Sequence, residues 1–406
     1  MMPPTPLDVT PSGPRRARGV AARMARALHD WWGDRPWGQF ALLIGAVAIF
    51  GFFGSNAADN MQQFGISPGF SFLDRPANFE IGESLIRYGA ADSYGRAILV
   101  GLLNTAAVAV LGCILASVLG LFLGIARLSG NPLLSGLVQI YVEIARNTPL
   151  LLQLFFWNAI AHALPSPRQA LGIGGSVFLS NRGVFLPAFR DPAAGWGLGL
   201  AVVTALALAV AISRLRRWRV RTRLPGQKGL GLLWGALVLP FIVLGLGGVS
   251  FAVEVPSLHG FNFAGGTAIS PEFAALLTGL VVNSAATICE IVRSGIQAVP
   301  VGQWDAARAL GLSPRRILRL VVLPQALRII IPVTTSCYLD LTKNSSLAVA
   351  IGFPDLVSVI NTTANQSGQV IETVFMMMMT YLTINLAVSL AMNRYHHRLA
   401  RRGGVA

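Results

Sequence analysis

Long apolar stretches, separated by short basic or glycine- and proline-rich segments, occupy most of this chain. A helix needs about 20 mostly apolar residues to cross the hydrocarbon layer of a membrane, and eight segments reach or approach that length. The seventh of them is interrupted by Pro332 and is polar near its end. The predicted spans are approximately residues 38–56, 97–126, 133–163, 195–212, 229–248, 272–295, 326–348 and 370–392. The pattern therefore predicts an all-α integral membrane protein.

The composition agrees with this prediction. The 406 residues are 53% hydrophobic and only 12% charged, and the mean hydropathy is +0.60, whereas soluble domains carry about a quarter charged residues. A net charge of +15 would suggest nucleic acid in a soluble protein. Here the basic residues lie in short clusters beside apolar runs, which is typical of membrane topology. We therefore expect a multi-pass protein of the inner (plasma) membrane, in contact with lipid and with no nucleic-acid partner.

Residue types that carry chemistry are sparse. The three cysteines lie within apolar stretches, which indicates buried free thiols, and the five histidines show no metal-ligand spacing. The sequence contains no G-x-x-x-x-G-K-[ST] motif, so this chain is not predicted to be its own ATPase. We therefore predict no metal site, no catalytic residue and no cofactor bound by this chain.

The positions of arginine and lysine predict an orientation. With the N-terminus inside, the predicted cytoplasmic segments hold 22 basic residues and the opposite loops hold six. Under the positive-inside rule, this bias places both termini in the cytoplasm.

The apolar pair at 195–248 reads as an insertion. Its two spans flank a basic turn and contain no ionisable residue, whereas functional sites inside membranes normally carry polar groups. We interpret the pair as peripheral packing helices. The predicted organisation is a cytoplasmic tail (1–37), a first span with a periplasmic loop (38–96), a transmembrane domain (97–393) that contains the pair and a cytoplasmic loop (297–325), and a C-terminal tail (394–406).

The sequence of the loop at 297–325 predicts a defined local structure. Alanine and arginine favour a helix beyond Asp305, and Gly311 is placed to end that helix in the left-handed conformation. Ser313 and Pro314 then supply an N-cap and a first helical residue. The sequence predicts a short helix, a sharp turn, and a second helix that leads to the next span.

Two small residues follow the acidic one. Ala306 and Ala307 lack bulk, so a partner surface can approach the first helix closely. The pattern Asp305-Ala306-Ala307, then Gly311, then Leu323-Pro324 resembles the cytoplasmic EAA loop of ATP-binding-cassette (ABC) importer permeases. Asp305 replaces the usual glutamate and keeps its charge.

The resemblance extends from about residue 38 to residue 395. Segments outside the loop look like the polar amino-acid permease family: Asn147–Gln153, Glu290–Pro300, Leu323–Arg328 and Lys343–Leu347. Ile81–Ile86, together with the extra helix pair, is similar to the larger permeases of general L-amino-acid and glutamate/glutamine/aspartate/asparagine importers.

This resemblance implies a type I ABC permease core and a non-catalytic subunit that forms a path for polar L-amino acids. The implied partners are an ABC ATPase that binds ATP and Mg²⁺, a periplasmic amino-acid-binding protein, and a second permease that is a different, homologous chain. In that picture the loop couples the ATPase to the path through Asp305, Ala306, Ala307, Gly311, Leu323 and Pro324. The loop motif indicates how transport is energised and does not indicate which solute is carried. Another small polar solute therefore stays an alternative. A self-sufficient channel or secondary transporter would need inverted repeats or a mid-span proton-relay carboxylate, and neither is visible.

Acid–base pairs at a spacing of three residues lie in or near the spans. Such pairs share a helix face, and ionisable groups near hydrocarbon usually line a cavity or neutralise a neighbour. The pairs Glu143/Arg146 and Glu290/Arg293, near predicted cytoplasmic ends, are interpreted as self-neutralising gate pairs. Asp340/Lys343, with Asn344 and Ser345 beside it, is the candidate substrate path, because this is the most polar part of any span.

Overall fold

The computed structural model describes residues 36–63, 69–189, 204 and 252–402, which fall into two units that meet between Phe70 and Ser71. The first unit contains the helix α1 (Pro36–Gln63), whose apolar stretch corresponds to the first predicted span. Most of the predicted N-terminal tail lies outside the described residues. The same holds for the inserted pair at 195–248, apart from Thr204.

Helices dominate the described part of the second unit. They are α2 (Tyr94–Arg127), α3 (Pro132–Asn147), α4 (Leu150–Ala163), α5 (Pro271–Gln297), α6 (Val301–Ala309), α7 (Pro314–Ile317), α8 (Leu323–Asn344), α9 (Leu356–Ser367) and α10 (Val370–Arg402). Within the described ranges, five helical segments are long and apolar enough to cross a membrane: Trp37–Asn56, Tyr94–Arg127, Pro271–Gln297, Pro314–Ile351 and Val370–Arg394. They coincide with the first, second, sixth, seventh and eighth predicted spans.

Short strands lie between α4 and α5, so the prediction of an all-α protein was wrong in this region. The strands are β1 (Leu171–Ile173), β2 (Val177–Ser180), β3 (Gly183–Leu186), β4 (Ala188–Phe189), β5 (Val253–Glu254), β6 (Ser257–His259), β7 (Asn262–Ala264) and β8 (Thr267–Ile269). They form an antiparallel sheet in the order β1-β2-β3-β8 and two separate pairs, β4-β5 and β6-β7. Stacked rings of Phe178 and Phe263, 4.7 Å apart, join the sheet to the β6-β7 pair.

The β4-β5 pair brackets the undescribed segment 190–251. Ala188 is opposite Glu254, and Phe189 is opposite Val253. The chain therefore leaves and re-enters the described structure at adjacent points.

Helices α2 and α5 run side by side in the same direction. A Cβ atom at Gly120 would lie 2.7 Å from Ile288 Cβ and 2.9 Å from Ala285 O, and one at Gly124 would lie 2.8 Å from Val292 Cβ. Small residues allow such close contact between helices that lack a hydrophobic driving force in lipid. We call the end where β8 passes into α5 the strand end, and the end where α5 passes into α6 the loop end.

The third predicted span is not one helix. It is divided into α3 and α4 by Thr148 and Pro149. Thr148 is extended, with φ −95° and ψ 128°, because the proline ring disfavours helical backbone in the residue before it. The prediction of a continuous helix over 133–163 was therefore wrong, since the apolar pattern continues across the break.

Pro332, unlike Pro149, does not break its helix. Helix α8 continues through it from Leu323 to Asn344 and then tightens into a 3₁₀ helix, Ser345–Ile351. The interruption predicted at this proline is absent.

The backbone after the 3₁₀ helix is fixed to α2 at the strand end. Asn104 Nδ2 donates to Pro354 O and to Glu83 O, at 2.9 and 2.8 Å, and Leu356 N donates to Thr105 Oγ1 at 3.0 Å. Asp355 is fully buried and caps α9 by accepting from Ser358 N at 2.9 Å. Its other oxygen, Oδ2, has no hydrogen-bond partner in the part of the chain described.

Burial raises the pKa of Asp355 from 3.8 to about 6, because the charged carboxylate loses its hydration. The folded protein therefore holds this proton more tightly than the unfolded chain does. The stability that this group contributes is fully present below pH 3.8 and is lost as the pH rises through about 6, a change on the order of 3 kcal/mol.

We expect Asp355→Asn to remove this pH dependence, because asparagine also caps helices but does not ionise. Thermal unfolding of the purified protein should show that, between pH 4 and pH 7, the wild type loses several degrees of apparent Tm relative to the variant. Asp74→Asn, at an exposed position, is the control and should keep the wild-type slope. Equal slopes for wild type and Asp355→Asn would contradict the assignment.

Candidate functional site

The predicted loop helix is α6, and its end has the predicted form. Gly311 has φ +72°, the left-handed conformation that glycine adopts without a Cβ clash. Leu312 N donates to Ala307 O at 3.2 Å and Gly311 N donates to Arg308 O at 2.9 Å, which is the Schellman pattern. Ser313 and Pro314 begin α7 as predicted, although the Ser313 side chain makes no capping hydrogen bond.

The two alanines of α6 face different surroundings. Ala306 is exposed, as contact with a partner protein would require. Ala307 is buried and packs with Ile317, Val322 and Ala326. Its small side chain therefore allows close packing within this chain and is not available to a partner. The expectation that both alanines present a bare surface was wrong for Ala307.

Two exposed apolar side chains, one in α6 and one at its C-cap, were not predicted from the sequence. Val301 is 71% exposed and Leu310 is 79% exposed. Asp305 Oδ1 lies 3.3 Å from Arg308 Nη1, and both side chains are more than half exposed, so this ion pair adds little stability. The sequence signal that could have revealed this surface is Leu310 itself, an apolar residue directly before the capping glycine Gly311.

A π-helical stretch, Leu318–Val322, joins α7 to α8 without a loop. Pro324 follows it and lacks an N–H, so the regular hydrogen-bond ladder cannot continue there. Gln325 Nε2 donates to Val321 O at 3.0 Å and lies 3.4 Å from Gln303 Oε1 of α6. The segment from α6 to α8 is therefore one continuously packed unit, with Leu323 and Pro324 exposed at the base of α8.

An ion network ties α2 to α5 at the loop end. Glu290 Oε2 accepts from Arg127 Nη1 at 2.6 Å, and Glu290 Oε1 accepts from Arg293 Nε at 3.1 Å and from Arg293 Nη2. Arg293 Nη1 also donates to Gln297 Oε1 at 2.6 Å. The predicted Glu290/Arg293 pair is confirmed, and Arg127 is a member that the sequence spacing did not reveal.

The predicted Glu143/Arg146 ion pair does not form. Glu143 Oε1 instead accepts from Gln139 Nε2 at 2.9 Å, and Arg146 makes no hydrogen bond or ion pair with any described residue. Both side chains, with Asn147, line a polar cavity of about 310 Å³ whose opposite wall is Arg127 and Glu290. Residues of both predicted pairs, Glu143/Arg146 and Glu290/Arg293, therefore lie at one charged cavity, which we call the loop-end cavity.

Asp340 and Lys343 are exposed on α8 and form no ion pair with each other or with another described residue. Asn344 is half-buried. Ser345 is 1% exposed, and its Oγ donates to Thr342 O at 2.8 Å. Ser345 is therefore buried, whereas Asp340 and Lys343 lie on an exposed face of α8.

A second polar cavity, of about 370 Å³, lies at the strand end and is lined in part by Glu80, Glu83 and Glu272. Ser270 Oγ donates to Glu83 Oε2. Burial raises the pKa of Glu83, partly offset by this hydrogen bond. Within the described ranges no three His, Cys, Asp or Glu side chains are grouped as a metal site.

The sequence matches known proteins along most of its length. Residues 116–401 match the family described as binding-protein-dependent transport system inner membrane component. The chain is 48% identical over 370 residues to the putative amino-acid ABC transporter permease protein YhdX of Escherichia coli, covering 89% of this chain and 93% of that protein.

Two further relatives cover a similar extent. The general L-amino acid transport system permease protein AapQ of Rhizobium johnstonii is 43% identical over 97% of this chain and 98% of its own length. The glutamate/glutamine/aspartate/asparagine transport system permease protein BztB of Rhodobacter capsulatus is 38% identical over 84% of this chain and 88% of its own. The chain therefore belongs to the family of inner membrane components of binding-protein-dependent transport systems.

Proposed function

We propose that this chain is the permease subunit of an ABC importer for polar L-amino acids. The observation that carries the proposal is the similarity to three permeases named for amino-acid transport, each over at least 84% of this chain. Family membership implies a multi-pass membrane protein that works with an ATPase and a binding protein. In this proposal the chain itself is non-catalytic, and ATP and Mg²⁺ bind to the ATPase.

The geometry of α6 supports its role as the coupling element. Val301, Ala306 and Leu310 are exposed and can contact an ATPase groove, while Ala307 anchors the opposite face in a packed cluster. Because α6 packs against the π-helical stretch that leads into α8, a displacement of α6 moves the base of α8. Packed elements of this kind transmit small shifts without deforming.

The topology that we propose has eight spans with both termini in the cytoplasm. The loop end then faces the cytoplasm and the strand end faces the periplasm, in agreement with the distribution of basic residues.

Two groups of side chains suit the binding of a zwitterion. Glu143 and Arg146 in the loop-end cavity are not paired with each other, so an amino acid can offer its ammonium to one and its carboxylate to the other. Asp340 and Lys343 present the same two charges on the open face of α8. Charged groups inside a membrane protein normally face a polar path and not lipid.

The open face of α8 requires a covering partner. An exposed ionisable pair within a span is costly against lipid, which supports a second permease subunit across this face. We propose a different, homologous chain, with the path between the two subunits.

The function is tested by reconstituting the chain with its ATPase, partner permease and binding protein in proteoliposomes. ATPase activity and uptake should both rise with at least one polar L-amino acid from a full panel. Stimulation by a different polar solute, with every amino acid inactive, would replace the substrate class and keep the transport mechanism.

Gly311→Ala should weaken coupling, because a side chain in the left-handed conformation costs about 1–2 kcal/mol and disturbs the end of α6. Stimulation of the ATPase by loaded binding protein should fall several-fold, together with uptake, while the purified permease stays folded. Gly302→Ala, in the same helix and with open space around it, is the matched control. Equal coupling in the two variants would rule out the assigned role of the turn.

Arg146→Ala and Lys343→Ala should each reduce uptake about tenfold or more, because a hydrogen bond to a charged group is worth about 1.5–3 kcal/mol. Assembly with the ATPase should persist, since both side chains are exposed. Arg182→Ala removes an exposed cation from the turn between β2 and β3 and should transport normally. Wild-type uptake by Lys343→Ala would remove α8 from the path, and wild-type uptake by Arg146→Ala would remove the loop-end cavity.

A further inference from the structure

Pro149 leaves a main-chain acceptor without its usual donor. In a continuous helix Ala145 O would accept from the N–H of residue 149, but proline has none. Ala145 is 4% exposed, so water has little access to this position. A buried carbonyl without a donor costs about 1–3 kcal/mol, and the break in the third span therefore needs a substitute.

Two amide side chains provide that substitute. Gln153 Nε2, from α4, donates to Ala145 O at 2.7 Å and to Thr148 O at 3.0 Å. Asn283 Nδ2, from α5, donates to the same Ala145 O at 3.0 Å. Helices α3, α4 and α5 thus meet at one carbonyl oxygen, and we call these contacts the amide latch.

Besides the amide latch, α3 has polar contacts to neighbouring segments: Tyr141 Oη donates to Val282 O of α5 at 2.7 Å, and Ser135 Oγ donates to Arg127 O at 2.9 Å. The buried α3 residues Val138, Val142 and Ala145 pack on Ala286 and Cys289 of α5. An apolar groove of about 580 Å³ runs along one flank of that buried face, lined by Ile140, Ile144, Leu152, Phe156 and Val282 among others. The other flank is the loop-end cavity. With open space on both sides, the angle of α3 is not fixed by packing alone.

We propose that Gln153 and Asn283 are positioning residues for the loop-end cavity. By donating to the carbonyl groups next to Pro149, they hold α3 at the angle at which Glu143 and Arg146 line the cavity. They do not touch the transported solute. This inference rests on the proposed function in one respect, namely that the cavity binds an amino acid.

The test uses the complete complex of this chain, its partner permease and its ATPase in nanodiscs, without binding protein. Gln153→Met keeps the side-chain length and removes the donor. Binding of tritiated L-glutamate should weaken about tenfold or more, since small misplacements of binding groups are costly, while basal ATPase activity is unchanged. Gln169→Met, at an exposed position, is the matched control, and unchanged affinity in Gln153→Met would overturn the proposal.

A second readout follows α3 without any amino acid. With Arg146→Cys in both backgrounds, the rate at which a small cationic thiol reagent modifies the thiol at position 146 should change several-fold when Gln153→Met is added. An unchanged rate would also overturn the proposal. A changed rate in a complex whose wild type binds none of the amino acids would support the latch and remove the loop-end cavity from the proposed amino-acid path.

The double variant Pro149→Ala with Gln153→Met separates positioning from simple stability. It restores an N–H at residue 149 that can donate to Ala145 O, which replaces the donor that Gln153→Met removes from this oxygen, so the apparent Tm should rise toward the wild-type value. The affinity for L-glutamate should stay low, because α3 then follows α4 and not the latch. Recovery of affinity together with Tm would show a purely structural role. If Gln153→Met fails to assemble, Asn283→Leu gives the same comparison from the α5 side.

Discussion

Where α2 runs along α5, Gly120 and Gly124 let Ile288 and Val292 occupy the space that their own side chains would otherwise fill. This contact sets the distance between the two helices near the loop end. It brings Arg127 within 2.6 Å of Glu290 at the loop end. At the strand end, Asn104 of α2 reaches Glu83 and Pro354. The ion pair at the loop end therefore depends on two positions without a Cβ, since a larger residue there would separate the two helices.

Prolines shape the rest of the unit through the hydrogen bonds that they remove. Pro149 divides a span, and side-chain amides from two helices satisfy the acceptors beside it. Pro324 coincides with a π-helical stretch, and Gln325 bonds to Val321 O just before it. In a membrane each unsatisfied main-chain group is costly, so such irregular positions persist only where side chains supply partners. The polar residues that follow these prolines are thus part of the backbone structure.

The coupling segment and the loop-end cavity are neighbours in the chain. Glu290 and Arg293 lie in the last two turns of α5, and α6 begins four residues after α5 ends. Arg293 also bonds Gln297, the last residue of α5. A movement of α6 by the ATPase would therefore act close to the charged wall of the proposed path. Arg293 lies eight residues before Val301, the first residue of α6.

The amino-acid sequence alone predicts the apolar spans that the structure describes, the orientation expected from basic residues, and the local form of the loop. Gly311 ends the first loop helix and Ser313-Pro314 begin the second, as predicted, because their conformational preferences depend only on neighbouring residues. Other features depend on contacts between helices: Pro149 breaks its span while Pro332 does not, Ala307 and Ser345 are buried, and Glu143 and Arg146 line one cavity with Arg127. Periodicity reports which residues share a helix face. Which face meets another helix, and which freed carbonyl finds a donor, depends on residues far away in the chain, as with Asn283 and Ala145.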